Sequence, residues 1–93
     1  MTFNFPETIF VKKNTPLEQL SHVLSEAEEV RKELKASTGN LSLIDLEMMD
    51  LLHSCETYFR IRQGVRGEQF IQELVAKVQE KNAVRFYYVA AAE

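Results

Sequence analysis

Apolar residues recur at helical spacing through the first half of the chain. Between residues 17 and 34 they stand three or four positions apart, as on one face of an α-helix: Leu17, Leu20, Leu24, Ala27, Val30 and Leu34. Thr15 supplies an N-cap hydroxyl, Pro16 follows at the first helical position, and Glu18 completes a capping box. The pattern predicts a first helix from Pro16 to a turn at residues 36–40.

Two further helices and a tail follow. Ser42 is a candidate cap for a second helix that ends at residues 63–64 and is apolar on most sides, as in a central or interface helix. Residues 67–82 form a third amphipathic helix. The aromatic and β-branched run that begins at residue 84 predicts an extended tail over 84–93. Residues 1–14 form an irregular arm, either a short edge strand or a segment lying across the helices.

The order of elements predicts an all-α fold, an antiparallel helical bundle of three main helices in one domain over residues 1–93. A domain of 93 residues buries only about 60–65% of the surface that its unfolded chain exposes, so its core is marginal alone. We therefore expect a second copy to complete a four-helix-type core, in a homodimer or a homotetramer.

Composition and charge argue against several classes of function. The formal net charge of -3 argues against binding a nucleic acid polymer through its phosphates. Cys55 is the single cysteine, which excludes an internal disulfide and fits a reducing compartment. No apolar run approaches the roughly 20 residues of a membrane span, and the N-terminus lacks the basic and apolar regions of a signal peptide. We expect a cytoplasmic protein that does not bind membranes.

Four carboxylates form two helix-spaced pairs. Glu26 and Glu29 stand three positions apart in the first predicted helix, and Glu47 and Asp50 do so in the second. Counted from a turn near residue 38, both pairs lie at the same level of an antiparallel hairpin, about 13–18 Å from the turn. Apolar neighbours surround the second pair, where an uncompensated carboxylate is costly. The converging acids predict a site for Mg²⁺, or alternatively Mn²⁺.

These motifs resemble a known family. E-A-E-E at 26–29 followed by E-M-M-D at 47–50 looks like the E-x-x-E…E-x-x-D signature of the MazG-like, all-α nucleoside triphosphate pyrophosphohydrolases. The run D-L-L-H-S-C-E-T-Y-F-R at 50–60 strengthens the likeness. K-V-Q-E-K-N-A-V-R-F-Y-Y at 77–88 resembles the K-N-x-x-R-G-Y-Y ending of the family. The resemblance covers roughly residues 17–88.

The resemblance implies that the four acids are the catalytic Mg²⁺ ligands. It also implies that polar residues near the end of the chain bind the substrate, with Lys77, Lys81 and Arg85 spaced every four residues as a basic edge toward the leaving pyrophosphate. The predicted substrate-binding residues are Lys77, Lys81, Asn82, Arg85 and Tyr87. Phe86 departs from the family ending, which usually has glycine here, and a bulky residue adopts a positive φ only at a cost.

The implied activity is hydrolysis of the α–β phosphoanhydride of a nucleoside triphosphate to a monophosphate and pyrophosphate. One of the four acids, or Glu33, would accept the proton of the attacking water. Two alternatives stay open. One is a di-metal carboxylate bundle, although only Asp50 and His53 approach its Glu-x-x-His pattern. The other is a non-catalytic helical interaction module whose acids are solvated.

Overall fold

The structure, a computed structural model, describes residues 4–89, and all regular structure in that range is helical. Four helices follow in order: α1 (Phe10–Lys13), α2 (Pro16–Ala36), α3 (Leu41–Arg66) and α4 (Glu68–Val84). The predicted all-α fold is confirmed. None of these four helices combines the length and the apolar character needed to cross a bilayer. Residues 1–3 and 90–93, parts of the predicted arm and tail, lie outside the described residues.

Helix α2 begins at the predicted capping box. Thr15 Oγ1 accepts a hydrogen bond from Glu18 N (3.2 Å), and Glu18 Oε1 accepts one from Thr15 N (2.9 Å). At the other end, Ser37 N and Oγ both donate to Glu33 O, and the chain then turns through two residues with positive φ, Thr38 (50°) and Gly39 (83°). Positive φ at two successive residues reverses the chain within the four positions that separate α2 from α3.

Helix α3 differs from its prediction at both ends. Asn40 caps it in place of Ser42, because Asn40 Oδ1 accepts a hydrogen bond from Ser42 N (3.1 Å). The predicted end at Gly64 is wrong, since the helix runs on to Arg66. A glycine inside a helix costs only about 1 kcal/mol, which is too little to end it. The chain breaks at Gly67, whose φ of 91° only glycine adopts readily.

The two chain ends carry more helix than expected. The arm contains the single turn of α1, and no edge strand forms among its described residues. Helix α4 extends to Val84 and closes with two hydrogen bonds, Phe86 N to Ala83 O (3.0 Å) and Tyr87 N to Asn82 O (3.0 Å). This pair of bonds is the Schellman motif, in which Phe86 takes the left-handed position with a φ of 59°. The path through Phe86 therefore reverses like that of a glycine.

The chain divides into two compact units, Met1–Arg62 and Gln63–Glu93, with α3 running through the boundary. In the first unit, α2 and α3 pack antiparallel. Its buried side chains are mostly polar: Ile61 is the one buried apolar residue among 4–89, beside Gln19, Ser54 and Thr57. The second unit contains α4, whose half-buried apolar residues are Phe70, Ile71 and Leu74.

The leucine stripe of α2 does not face α3. Leu17 and Leu24 are 77% and 64% exposed, while Gln19 is fully buried and Val23 and Glu26 are half-buried. The side of α2 that contacts α3 is thus the more polar one. This arrangement reverses the usual amphipathic order within a single chain, in which the apolar stripe is the buried one.

Candidate metal centre

Three of the four predicted acids come together between α2 and α3. Glu26 projects from α2, and Glu47 and Asp50 project from successive turns of α3. One carboxylate oxygen of each lies within 4.8 Å of the other two. Glu26 and Glu47 are half-buried, and Asp50 is exposed toward solvent. The cluster is therefore open on one side, as a site that exchanges ligands requires.

A buried hydrogen-bonded pair fixes the register that brings these acids together. Gln19 Nε2 donates to the main-chain oxygen and to Oγ of Ser54, both at 3.1 Å, and Gln19 Oε1 accepts from Asn14 Nδ2 at 2.9 Å. Gln19 lies seven residues before Glu26, and Ser54 lies seven residues after Glu47. Two helical turns, about 10 Å, thus separate the buried pair from the acids on both helices. The same antiparallel alignment that pairs Gln19 with Ser54 sets Glu26 opposite Glu47.

The structure does not bring Glu29 into the cluster. Its carboxylate is exposed and pairs with Lys32 Nζ at 3.5 Å. The prediction placed the centre of the hairpin near residue 38, which sets Glu29 level with Glu47. The observed alignment sets Glu26 level with Glu47, so Glu29 lies about one turn closer to the hairpin loop.

The cluster is electrostatically strained. Partial desolvation raises the pKa of Glu47 above its ordinary value, and repulsion from the Asp50 carboxylate raises it further. Three more acids add to the effect: Glu29, Glu33 and Glu26. A raised carboxyl pKa means that this surrounding favours a neutral group, or a compensating positive charge, at Glu47.

The donor set fits a hard divalent cation. Mg²⁺ binds carboxylate oxygens at about 2.1 Å, so oxygens on one ion lie at most about 4.2 Å apart. The three oxygens lie within 4.8 Å of one another, slightly more than that limit. Among the described residues, His53 does not join this group. Its ring stacks on Phe5 with centroids 4.3 Å apart, and its Nε2 lies 3.4 Å from Pro6 O.

A cleft of about 250 Å³ opens beside Glu26 and Asp50. The arm and both helices line the rest of it: Thr8, Phe10, Gln19, His22, His53, Ser54 and Thr57. His22 Nε2 is 3.4 Å from Glu26 Oε1, and its ring lies 5.4 Å from that of Phe10. The cleft is slightly smaller than the usual 300–1,000 Å³ of a ligand site. A cleft of this volume can enclose part of a small-molecule ligand, with the rest of the ligand exposed to solvent.

The arm is held over this cleft by residues that the sequence did not single out. Glu56 and Arg60 are spaced as an ordinary i, i+4 ion pair, and Arg60 Nη2 lies 2.8 Å from Glu56 Oε1. Glu56 Oε1 also accepts from Phe5 N (3.1 Å), while Arg60 donates to Phe5 O and to Asn4 Oδ1. Thr8 Oγ1 adds a hydroxyl contact to a threonine of α3 at 3.2 Å. No local spacing signals such contacts, because they join positions about 50 residues apart.

The predicted substrate-binding residues lie in the second unit. Lys77 and Lys81 are exposed on α4, and Asn82 is half-buried in its last turn. Arg85 is exposed after the helix, with its guanidinium 5.9 Å from the centre of the Tyr87 ring. Their role toward a substrate stays a prediction.

In comparisons with known proteins, no family model, no curated protein and no solved structure matches this chain.

Proposed function

We propose that this protein is a Mg²⁺-dependent nucleoside triphosphate pyrophosphohydrolase that releases a nucleoside monophosphate and pyrophosphate. One observation carries the proposal. Acids of the two motifs come from different helices, and ligand oxygens of Glu26, Glu47 and Asp50 lie within 4.8 Å of one another. The resemblance of the motifs to the MazG-like signature supplies the class of reaction. The reducing environment that the single cysteine fits makes the cytoplasm the proposed place of action.

Glu26, Glu47 and Asp50 would hold the cation, with Glu29 within reach if its contact with Lys32 opens. When bound, Mg²⁺ would neutralise phosphate charge and lower the pKa of the attacking water. A carboxylate oxygen of Glu33, or of one of the cluster acids, would accept the proton of that water. Glu33 is suited to this role because it is half-buried and close enough to raise the pKa of Glu47.

The cleft would hold the part of the nucleotide next to the reacting phosphates. Its walls combine the rings of Phe10 and His22 with the hydrogen-bonding groups of Ser54 and Thr57. Apolar and aromatic surface with a few polar groups is the usual composition of a small-molecule site. For the second unit, the family ending implies a separate role in substrate binding, carried by Lys77, Lys81, Asn82, Arg85 and Tyr87.

Pyrophosphate release tests the proposal directly. The full chain is incubated with a panel of ordinary and modified nucleoside triphosphates, with Mg²⁺ or with a chelator. We expect release with at least one substrate, only when Mg²⁺ is present. The Glu47→Gln and Asp50→Asn variants should lose at least ~100-fold in rate. Asp45→Asn is the matched control, because Asp45 is an exposed acid of the same helix outside the cluster.

Metal binding and catalysis are separable in the same proteins. Addition of Mg²⁺ should raise the unfolding temperature of the parent chain and of Asp45→Asn, but not that of Glu47→Gln. Stabilisation without hydrolysis would leave a metal-binding protein and remove the enzyme. Absence of both effects would favour a helical interaction module. A Lys81→Ala variant should raise KM for the triphosphate more than it lowers kcat, if Lys81 binds phosphate in the ground state.

We also propose that a second copy of the chain completes the helical core, as a homodimer or as half of a homotetramer. The scarcity of buried apolar residues among positions 4–89 supports this proposal.

A further inference from the structure

The arm forms one wall of the cleft beside Glu26 and Asp50, and it is only loosely packed. Thr8 and Phe10 are the residues of the arm that line the cleft. Among residues 4–14 none is buried, and each is either half-buried or exposed. The arm therefore gains little from apolar burial, which is the main contribution that holds a segment on the rest of a fold.

A pair of charged side chains on α3 holds the arm by its main chain. Glu56 Oε1 accepts a hydrogen bond from Phe5 N (3.1 Å), and Arg60 donates to Phe5 O. Arg60 and Glu56 are 26% and 22% exposed, and they also pair with each other at 2.8 Å. The hydroxyls of Thr8 and Thr57 add a contact at 3.2 Å. Because water can replace each hydrogen bond, each one shifts the balance between a closed and an open arm by only about fivefold.

The helix that follows the arm does not depend on these contacts. Asn14 and Thr15 are both extended, with ψ of 140° and 162°. Helix α2 then begins with the capping box, which Thr15 and Glu18 form by themselves. Release of the arm would therefore leave the start of α2 intact, and residues 14 and 15 are the natural position of a hinge.

We propose that the arm is a strap that opens as a unit about residues 14–15 and admits a ligand to the cleft. The inference rests on the proposed function only for the identity of that ligand, a nucleotide. With the arm closed, the cleft of about 250 Å³ is smaller than a usual small-molecule site. His53 lies against Phe5, and Thr57 contacts Thr8, so opening would uncover both side chains and enlarge the cleft. Segments that move in ligand binding come from the least stable parts of a fold, as the arm does here.

An engineered disulfide in the full chain can hold the arm closed. The hydroxyl oxygens of Thr8 and Thr57 are 3.2 Å apart, close enough for sulfur atoms at these two positions to form a bond. The variant carries Thr8→Cys and Thr57→Cys, with Cys55→Ser to remove the native thiol. Oxidation locks the arm and a reductant releases it, so the oxidised and reduced forms of one protein are matched controls.

Modification of His53 by diethyl pyrocarbonate measures opening without any nucleotide. Peptide mass spectrometry should show His53 reacting at least ~10-fold more slowly in the oxidised form than in the reduced form. In the parent background, Arg60→Ala removes two hydrogen bonds to the arm and should speed the reaction about 10- to 30-fold. Arg31→Ala, which removes an exposed ion pair of α2, should leave the rate within about twofold. Equal rates in the oxidised and reduced forms would overturn the proposal.

Pyrophosphate release separates this proposal from the proposed function. Where the reduced form hydrolyses a triphosphate, the oxidised form should do so at least ~10-fold more slowly, and reductant should restore the rate. Equal hydrolysis by both forms would overturn the gating role of the arm. If the parent chain hydrolyses no triphosphate while His53 modification still follows the state of the disulfide, the strap is supported and the proposed function fails.

Discussion

Replacement of Gln19 by alanine should destabilise the protein by about 3 kcal/mol. The buried Gln19 side chain takes part in three hydrogen bonds, two to Ser54 and one from Asn14. A hydrogen bond of this kind contributes about 1 kcal/mol net, which gives the total. The cavity left by the shorter side chain adds a cost, and the release of a fixed side chain offsets roughly the same amount.

This loss is large for a chain of this size, whose whole stability is on the order of 5–14 kcal/mol. Urea unfolding followed by far-UV circular dichroism measures it, with all variants at one protein concentration because the proposed association would contribute to the midpoint. Gln72→Ala is the control, since Gln72 is an exposed glutamine of α4, and it should stay within about 0.5 kcal/mol of the parent.

Ser54→Ala separates the two contacts of Gln19 Nε2. This variant removes the hydroxyl and leaves the main-chain oxygen of residue 54 as an acceptor, so we expect a loss of only about 1 kcal/mol. Gln19→Ala should also reduce the stabilisation by Mg²⁺, because the buried pair sets the register of Glu26 and Glu47. A cost below about 1 kcal/mol for Gln19→Ala, together with unchanged Mg²⁺ stabilisation, would refute the role assigned to this pair.

Three further predictions follow from individual contacts. Phe86→Gly should stabilise the protein by about 1 kcal/mol in thermal unfolding, because glycine relieves the left-handed strain at φ 59°, whereas Phe86→Ala should give no such gain. Glu47→Gln should raise the unfolding temperature of the metal-free protein at pH 7. The raised pKa of Glu47 means that ionisation weakens the fold as pH rises through that pKa, so the gain should vanish below the ordinary carboxyl pKa. Arg60→Ala should release the arm and speed tryptic cleavage after Lys12 and Lys13, as seen by mass spectrometry, with a loss of about 1–2 kcal/mol in urea unfolding.

Sequence features that act within one helical turn predicted the helices well. The capping box of Thr15 and Glu18 forms as expected because both partners lie within one turn. Gly64 shows the limit of such reasoning, since the cost of a single glycine inside a helix is too small to end it. The conformation that ends α3 belongs to Gly67, and no short pattern distinguishes these two glycines.

The candidate site was predictable where it depends on residue spacing within one helix. Spacing of three residues fixes which acids share a helix face, and that rule finds Glu47 and Asp50. The exclusion of Glu29 depends on the alignment of two helices. That alignment is set by a hydrogen bond between Gln19 and Ser54, which are 35 residues apart. The choice of buried face on α2 likewise depends on what covers the other face, which the sequence of one copy does not specify.

The polar contact between α2 and α3 and the exposure of the α2 leucines both limit the stability of a single copy. Helices that meet through Gln19, Glu26 and Glu47 gain little from apolar burial, and their acids repel one another. A second copy would supply the missing burial, and a cation would remove the repulsion. Because both would bind the folded chain in preference to the unfolded one, each would raise the population that the other binds. The proposed association of the chain and occupancy of the acidic cluster should therefore favour one another.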